Sequence, residues 1–343
     1  MINNKNKICI IYSHHKLGDI IWQLPYIKSI SEHYDKSVTL ITRPQTQAKD
    51  IFKDINYIEQ IEYNKFRKNL YYWIDVYNLY KFFRKNKYSH VYLLDKISRP
   101  AISARLAGIK NIIGIGIGSQ SKWITNKKFL FKSEFKYNFS TQSKKFLELQ
   151  GIKVNDKKPY IEFSDESLNK IQLTFNLENK KYIAFGIDAF DKWKIWYEEY
   201  FAKLADLIVE NRLAEKIFLI CKKENQRYAK KIIELSKHEN FIDCSDLKLL
   251  EIIKCLKHCN FFVGNDSGPL NLSSALGIKS FGLVANTSVK QLENSNADII
   301  LSKNYDTSVD VGIYKIGDNF KKDRELMRNI TVDQVLTHIQ GKI

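Results

Sequence analysis

NFFVGNDSGPLNLSSALGIKSFGLV, residues 260–284, reads as an apolar strand over 261–263, a tight turn over 264–268, a short helix and a second strand. Pro269 stands where the first helical residue is expected, and Gly277 falls just past the last apolar helical position. That proline-in, glycine-out punctuation marks a short helix. A strand that turns through Gly and Ser into a helix leaves backbone N–H groups unpaired at the positive end of the helix dipole, where phosphate binds readily. An ordinary β-turn-α connection has the same pattern, so the turn alone leaves both readings open.

Working outward, the same alternation recurs. Residues 7–13 (KICIIYS) form a short β-branched run suited to a central parallel strand. The run breaks at 14–19 (HHKLGD), and helical spacing follows through Ile20, Ile21, Leu24, Ile27 and Ile30, with Pro25 either kinking that helix or marking its true start. Asp19 thus falls at a strand-to-helix junction, on the sheet edge where open α/β folds bind ligands. A first-turn acid that serves only the helix dipole would occupy the same position. Residues 37–42 and 90–95 repeat the strand pattern. In the second half, strands are expected at 182–185, 216–221 and 241–242, and helices near 197–208, 225–235 and 247–256. Strands alternating with helices imply parallel sheets built from βαβ units. The polar stretch 151–167, which contains Pro159, is the expected inter-domain linker.

Two stretches break the monotony. Residues 65–87 (KFRKNLYYWIDVYNLYKFFRKNK) are basic and aromatic, with Leu70, Trp73, Ile74, Tyr77 and Tyr80 near one helical face. A helix of that kind suits a membrane interface, and equally a packed surface position on the sheet. Gly114, Gly116 and Gly118 imitate a dinucleotide fingerprint, but no helical pattern follows, so the stretch reads as a loop.

At 343 residues the chain has room for two domains with full cores. A hydrophobic fraction of 44% and a mean hydropathy of −0.35 describe a water-soluble protein, and no apolar run approaches the ~20 residues that span a bilayer. The opening residues run straight into a strand without a cleavable signal pattern, which predicts a cytoplasmic protein. Five scattered cysteines (Cys9, Cys221, Cys244, Cys255 and Cys259) predict reduced thiols. Cys255 and Cys259, one helical turn apart, read as core residues, because no second ligand pair accompanies them. The formal charge of +17 is unevenly spread: residues 1–160 hold 29 Lys and Arg against 12 Asp and Glu, whereas residues 161–343 balance at 26 each. Such a step predicts two domains with different partners, one of them anionic.

Five separate segments, in order, resemble one family. HKLGDIIWQLPYIKSI (15–30) resembles the opening "GD…LP" segment of glycosyltransferase family 9, the heptosyltransferases of lipopolysaccharide core synthesis. SARLAGIKNIIG (103–114) resembles its "R…AG…RIG" segment, and Lys194-Ile195-Trp196 its K-x-W-P element, with Tyr197 in place of the proline. VGNDSGPLNLSSALG (263–277) resembles the "D[ST]G…H-x-AAALG" motif, and ITVDQVL (330–336) its terminal "IT…VL". The resemblance implies a GT-B architecture, in which two Rossmann-like α/β domains with parallel sheets face each other across a central cleft. Residues 1–160 would form the basic acceptor-binding domain and residues 161–343 the nucleotide-sugar-binding domain, with the final helix free to pack back on the first.

The resemblance also implies a metal-independent, inverting transfer of a heptose-like sugar, without a cofactor, from a nucleoside-diphosphate donor, ADP-linked by preference. The acceptor would be an anionic glycolipid or oligosaccharide at the inner face of a bacterial membrane, so peripheral contact with an anionic membrane surface is expected. Asp19 matches the family's catalytic aspartate, which takes the acceptor hydroxyl proton. Lys194 matches its phosphate-binding lysine, and Asp266, Ser267 and Gly268 match the turn that receives the donor, where negative charge develops as the diphosphate departs. Glu224 matches by position an acid expected at the ribose. Asn271 stands where the family has histidine, and an amide cannot carry the imidazolium charge. His15, Lys16, Gly18 and Arg99 are the candidates on the acceptor side. A non-catalytic nucleotide-sugar or saccharide-binding protein of the same fold is the alternative. A nucleic-acid binder is not expected, because no recognisable module accompanies the basic half.

Overall fold

We describe residues 7–67, 69–131, 133–134, 138–285, 287–307 and 322–343 of a computed structural model. Residues 1–6 of the opening stretch and Lys68 of the aromatic stretch lie outside the described residues. The chain divides into two compact units, Met1–Pro159 and Tyr160–Ile343. Each is a parallel α/β unit.

The first unit runs β1 (Ile8–Ile11), α1 (Leu17–Ile21), α2 (Leu24–Tyr34), β2 (Val38–Thr42), α3 (Ala48–Ile51), β3 (Ile58–Tyr63), α4 (Tyr71–Asn86), β4 (His90–Leu93), α5 (Arg99–Leu106), β5 (Asn111–Gly114) and α6 (Phe139–Leu149). Its five strands are parallel in the order β3-β2-β1-β4-β5. β1 and β2 are buried along their whole length, as their unbroken apolar runs require. β3, sequence IEQIEY, is an edge strand whose outer positions are polar. Pro25 lies in the first turn of α2, which begins after two intervening residues beyond the end of α1, so it starts a helix and kinks none. β5 ends at Gly114, and the Gly-rich stretch continues as a loop with a 3-10 turn, Gly118–Lys122.

α4 buries Val76 and packs Leu79 and Phe83 into the core shared with the sheet, not the face the sequence pattern selects. Leu70, Trp73, Ile74 and Tyr77 are exposed. The helix therefore has apolar residues on two sides, and the sheet claims only one of them.

The second unit runs α7 (Asp165–Asn169), β6 (Tyr182–Gly186), α8 (Glu198–Glu210), β7 (Lys216–Ile220), α9 (Gln226–Leu235), β8 (Phe241–Asp243), α10 (Leu249–Lys257), β9 (Cys259–Asn265), α11 (Gly268–Ala275), β10 (Lys279–Val284), β11 (Asp298–Leu301) and α12 (Val332–Gln340). Its six parallel strands lie in the order β11-β10-β9-β6-β7-β8. The strand order reverses direction between β6 and β9, as it does between β1 and β4 in the first unit. Ligands bind outside the carboxyl ends of strands at such a point. α12 buries Val332, Val335 and Ile339 in the core of this second unit, together with Phe185, Phe201 and Phe281.

Three glycines face one another across the middle of this sheet: Gly186 pairs with Gly264, and Gly264 with Gly282. A Cβ on Gly282 would lie 2.6 Å from Leu270 Cδ2 of α11, and one on Gly264 would lie 2.8 Å from both the Gly186 carbonyl oxygen and the Phe262 ring. The missing side chain at Gly282 lets α11 lie directly on the sheet through Leu270, while Gly186 and Gly264 make room for the Phe262 ring. Cys9, Cys221, Cys244 and Cys255 are buried, and Cys259 is half-buried with its Sγ 3.3 Å from the Cys255 carbonyl oxygen. Burial pushes the Cys9 and Cys259 thiols well up, and that of Cys221 to about 12. Among the described residues, no helix is long and apolar enough to cross a membrane.

Overpacking a well-filled core costs about 1–3 kcal/mol. Gly264→Ala is therefore expected to destabilise the protein by about that much, read as a lower urea midpoint at unchanged slope.

Candidate functional site

In the first unit, Asp95 ties the loops at the carboxyl ends of β1 and β4. Its Oδ2 accepts from Ser13 N at 2.5 Å and its Oδ1 from Ile97 N at 2.9 Å. Gln120 Nε2 donates to the carbonyl oxygens of Asp95 (2.7 Å) and Ile97 (2.8 Å), and Arg43 Nε donates to the Ser13 carbonyl at 2.5 Å. The peptide leading into α1 is therefore held from both sides. His14 follows it, stacked on Tyr12 with ring centroids 4.9 Å apart and meeting Phe139 edge-on at 4.3 Å.

Asp19 lies in the first turn of α1, with Oδ2 3.5 Å from His14 Nδ1 and its side chain 19% exposed. A half-buried carboxylate that remains open to solvent, beside an imidazole held flat by its neighbours, can accept a proton from an arriving hydroxyl. His15 and Lys16 are exposed on the same loop, and Gly18 is buried. Arg99 is also buried, at the start of α5. Its Nη1 lies 3.4 Å from Asp75 Oδ2, and its guanidinium sits 4.6 Å from the Tyr72 ring centroid. Burial lowers the Arg99 pKa, while Asp75 raises it. Asp75 also accepts from Arg67 Nη2 at 2.7 Å, so one carboxylate is shared between two guanidiniums.

In the second unit, residues far apart in sequence meet at the carboxyl ends of β6 and β9, the strands that flank the reversal. Asn265, fully buried at the end of β9, donates from Nδ2 to the Gly186 carbonyl at 3.2 Å and accepts from Trp196 N at 2.9 Å. The next residue, Asp266, accepts from Lys194 Nζ at 2.6 Å, with side chains 9% and 16% exposed respectively. The lysine is thereby placed at the N-terminus of α11. There Ser267, the N-cap residue, makes no side-chain capping bond, and its buried Oγ has no hydrogen-bond partner within the described residues. The same holds for Oδ1 of buried Asn271. Buried polar atoms are nearly always paired, so an orphaned hydroxyl beside an uncapped helix start and a fixed ammonium describes a receptor for an oxygen-rich anion, and the Asn271 amide oxygen can accept from a hydroxyl of the same ligand.

The segment carrying Lys194 is held from behind by Arg324, which sequence reasoning missed. Its Nε donates to the Ile195 carbonyl at 2.9 Å and its Nη2 to Trp196 O at 3.2 Å and to Glu198 at 2.7 Å. Trp196 Nε1 donates to Ile330 O at 2.9 Å, which joins this segment to the start of 330–336. Tyr197 lies between two guanidiniums, with Arg328 3.7 Å and Arg324 4.4 Å from its ring centroid, and its hydroxyl donates to Glu325. Burial, with Glu325 adding to it, raises the pKa of that hydroxyl. The aromatic ring at this position thus anchors the segment through cation–π contacts that a proline cannot make.

Glu224 sits on an exposed 3-10 turn with its carboxylate 3.9 Å from Lys222 Nζ. Among the described residues, no hydrogen bond or ion pair joins it to Lys194 or Asp266. The buried acid of that region is Asp188, also missed from sequence, which accepts from Asn225 Nδ2 at 3.0 Å and from Lys222 N at 3.3 Å. No signal in the sequence separates Asp188 from any other acid after a strand. Asn265 fixes two neighbours at once. Asn265→Ala leaves Trp196 N and the Gly186 carbonyl unpaired and is expected to cost about 2–4 kcal/mol, measured as a drop in Tm.

A sequence model of glycosyltransferase family 9 (heptosyltransferase) matches residues 76–316. The chain is 28% identical over 220 residues to lipopolysaccharide heptosyltransferase 1 of Campylobacter coli, a match spanning 60% of this chain and 63% of that relative. Its fold is similar to that of the family 9 glycosyltransferase of Veillonella parvula, with a TM-score of 0.78 at 18% identity over 99% of this chain and 98% of the other. It is also similar to that of the E. coli heptosyltransferase WaaC with ADP, with a TM-score of 0.72 at 15% identity over 98% and 100% of the two chains.

Proposed function

Since the chain belongs to glycosyltransferase family 9, we propose that it is an inverting, metal-independent glycosyltransferase that moves a heptose-like sugar from a nucleoside diphosphate to an anionic, lipid-linked or core saccharide of lipopolysaccharide. ADP is the first nucleotide to test, since a fold relative is described with ADP. The observation that carries the reading is the 2.6 Å pair between Lys194 and Asp266, 72 residues apart, at the uncapped N-terminus of α11.

In this reading the acceptor oxygen attacks the anomeric carbon from the face opposite the diphosphate. The C–O bond to the phosphate breaks, and the configuration inverts. The acceptor proton passes to the carboxylate of Asp19, which ends the step as a neutral acid beside His14. The released diphosphate carries new negative charge. The ammonium of Lys194 and the free N–H groups at the start of α11 meet that charge with donors already in place, so no metal is needed to stabilise the leaving group. Asp266 holds the ammonium in position. Ser267 Oγ, without a partner among the described residues, would donate to a phosphate oxygen, and Asn271 Oδ1, likewise without one, would accept from a sugar hydroxyl. Asn271 compensates for the family's histidine by geometry and not by charge, so the electrostatic work rests more heavily on Lys194. Glu224 remains the candidate for the ribose, with Asp188 and Asn225 shaping its turn. The acceptor side falls to the unit that holds the whole +17 excess, with His15, Lys16, Gly18 and Arg99 as its candidates. A protein of this kind works at the cytoplasmic face of a membrane as a peripheral enzyme.

Loss of a positioned general base slows turnover by about 10²–10⁴-fold. Asp19→Asn should therefore lower kcat by that factor while leaving ADP affinity nearly unchanged, and a fully active variant would remove Asp19 from the mechanism. A hydrogen bond to a charged group is worth about 1.5–3 kcal/mol. Lys194→Ala should accordingly weaken ADP binding by about tenfold to a hundredfold in calorimetry. Tight donor binding with no detectable transfer to any saccharide would instead favour the non-catalytic binding protein.

A further inference from the structure

The outward face of α4 is the largest local concentration of exposed apolar surface in the described residues. Leu70 is 89% exposed, Trp73 66%, Ile74 48% and Tyr77 54%. They follow one another at the i, i+3, i+4, i+7 spacing of a single helical stripe. The opposite side of the same helix already buries Val76, and packs Leu79 and Phe83 into the core shared with the sheet, so this stripe is not part of that core. Exposed apolar patches that folding does not use mark interaction surfaces.

The charge around the stripe has one sign. Residues 65–87 hold seven Lys or Arg and a single acid, Asp75. Asp75 is 3% exposed and is consumed by Arg67 at 2.7 Å and Arg99 at 3.4 Å. What α4 shows to solvent is therefore apolar side chains followed by Lys81, Arg84 and Lys85. Cations also sit at the level of the rings: Lys81 Nζ is 4.7 Å from the Tyr77 centroid, and the Arg67 guanidinium is 4.6 Å from that of Tyr71.

This chemistry selects among partners. A second copy of the chain meeting the same face would bring like charges together. A nucleic acid would use the rings and cations but would gain nothing from Leu70 and Ile74, and Leu70 is the most exposed of the set. A bilayer with anionic headgroups satisfies all three components, because aliphatic residues enter the acyl boundary, Trp and Tyr settle at headgroup level, and Lys and Arg meet phosphate. We propose that this face of α4 docks the protein on an anionic phospholipid bilayer, with the helix lying in the plane of the interface. The assignment deepens the functional reading above by naming the surface that brings the enzyme to a lipid-linked acceptor, and it does not depend on the roles given to Asp19 or Lys194.

The test is co-sedimentation of the full chain with vesicles of phosphatidylglycerol and of phosphatidylcholine. The expected result is binding to the anionic vesicles only, lost as salt is raised, because screening shortens the reach of the basic residues. The double variant Trp73→Glu/Ile74→Glu should weaken that binding by about tenfold or more, given the apolar area withdrawn from the interface. Lys81→Glu/Lys85→Glu should do the same through charge. Both variants should keep wild-type ADP affinity and Tm, which shows that they fold. Failure of the wild type to bind phosphatidylglycerol vesicles, or unchanged binding by both double variants, overturns the proposal. So does a concentration-dependent dimer that the Trp73→Glu/Ile74→Glu variant abolishes while vesicle binding persists. Vesicle binding that follows the expected pattern in a protein without transferase activity would uphold the surface and reject the chemistry.

Discussion

Asn265 spends both ends of its buried side-chain amide on backbone, giving to Gly186 and accepting from Trp196. The two contacts join the carboxyl ends of β6 and β9, neighbouring strands that lie far apart in the chain, to the segment carrying Lys194. Without that join, the lysine would be one more long side chain on a surface loop, and bringing its ammonium to an anion would cost rotamer entropy each time. With it, and with Arg324 closing the segment from the other side, the cation, the turn acid and the first amides of α11 form a single pre-organised group. Gly282 beneath contributes in the same sense, by letting Leu270 of α11 rest on the sheet instead of on an intervening side chain.

The first unit solves the same problem with a carboxylate. Asp95 grips the peptides after β1 and beyond β4 as Asn265, at the end of β9, grips the end of β6 and the segment that follows it. In both units the device sits where the strand order reverses, because only there do two neighbouring strands send their loops in opposite directions and leave a gap. The interactions that hold the gap open are buried and polar. They are costly if half-satisfied, and each side-chain polar atom of Asp95 and Asn265 has a partner.

Much of this was legible in the sequence, for physical reasons. β1, β2, β4, β6, β7, β9 and β10 are covered on both faces and so must be written as apolar, β-branched runs. Edge strands escape that constraint, and β3 and β11 gave no comparable signal. The turn 264–268 announced itself through Gly, Asp, Ser and Pro, because few residues can make such a turn. The residues that hold the turn did not. Asn265 looks like part of the turn, Asp188 like any acid after a strand, and Arg324 lies 129 positions from the carbonyl it binds. Contacts at that separation leave no periodicity. α4 misled in the opposite way: its strongest apolar stripe was visible, but a pattern shows only that side chains share a face. It does not show whether protein or something else covers that face. Tyr197 read as a departure from a motif, and only the two arginines on its ring show what it does there.

The thiols have a use that their chemistry alone does not suggest. Cys9 lies in the central strand of the first unit, and Cys221 and Cys244 lie in the second, all three buried, with burial or a neighbouring thiol favouring the protonated, unreactive form. A maleimide or disulfide reagent can reach them only when the surrounding structure opens. The protein thus carries a native set of opening clocks, with at least one in each unit. The rate at which each cysteine is modified, read by mass, reports the opening free energy of its own half of the chain without any introduced label, so the two units can be followed separately as ligand is added.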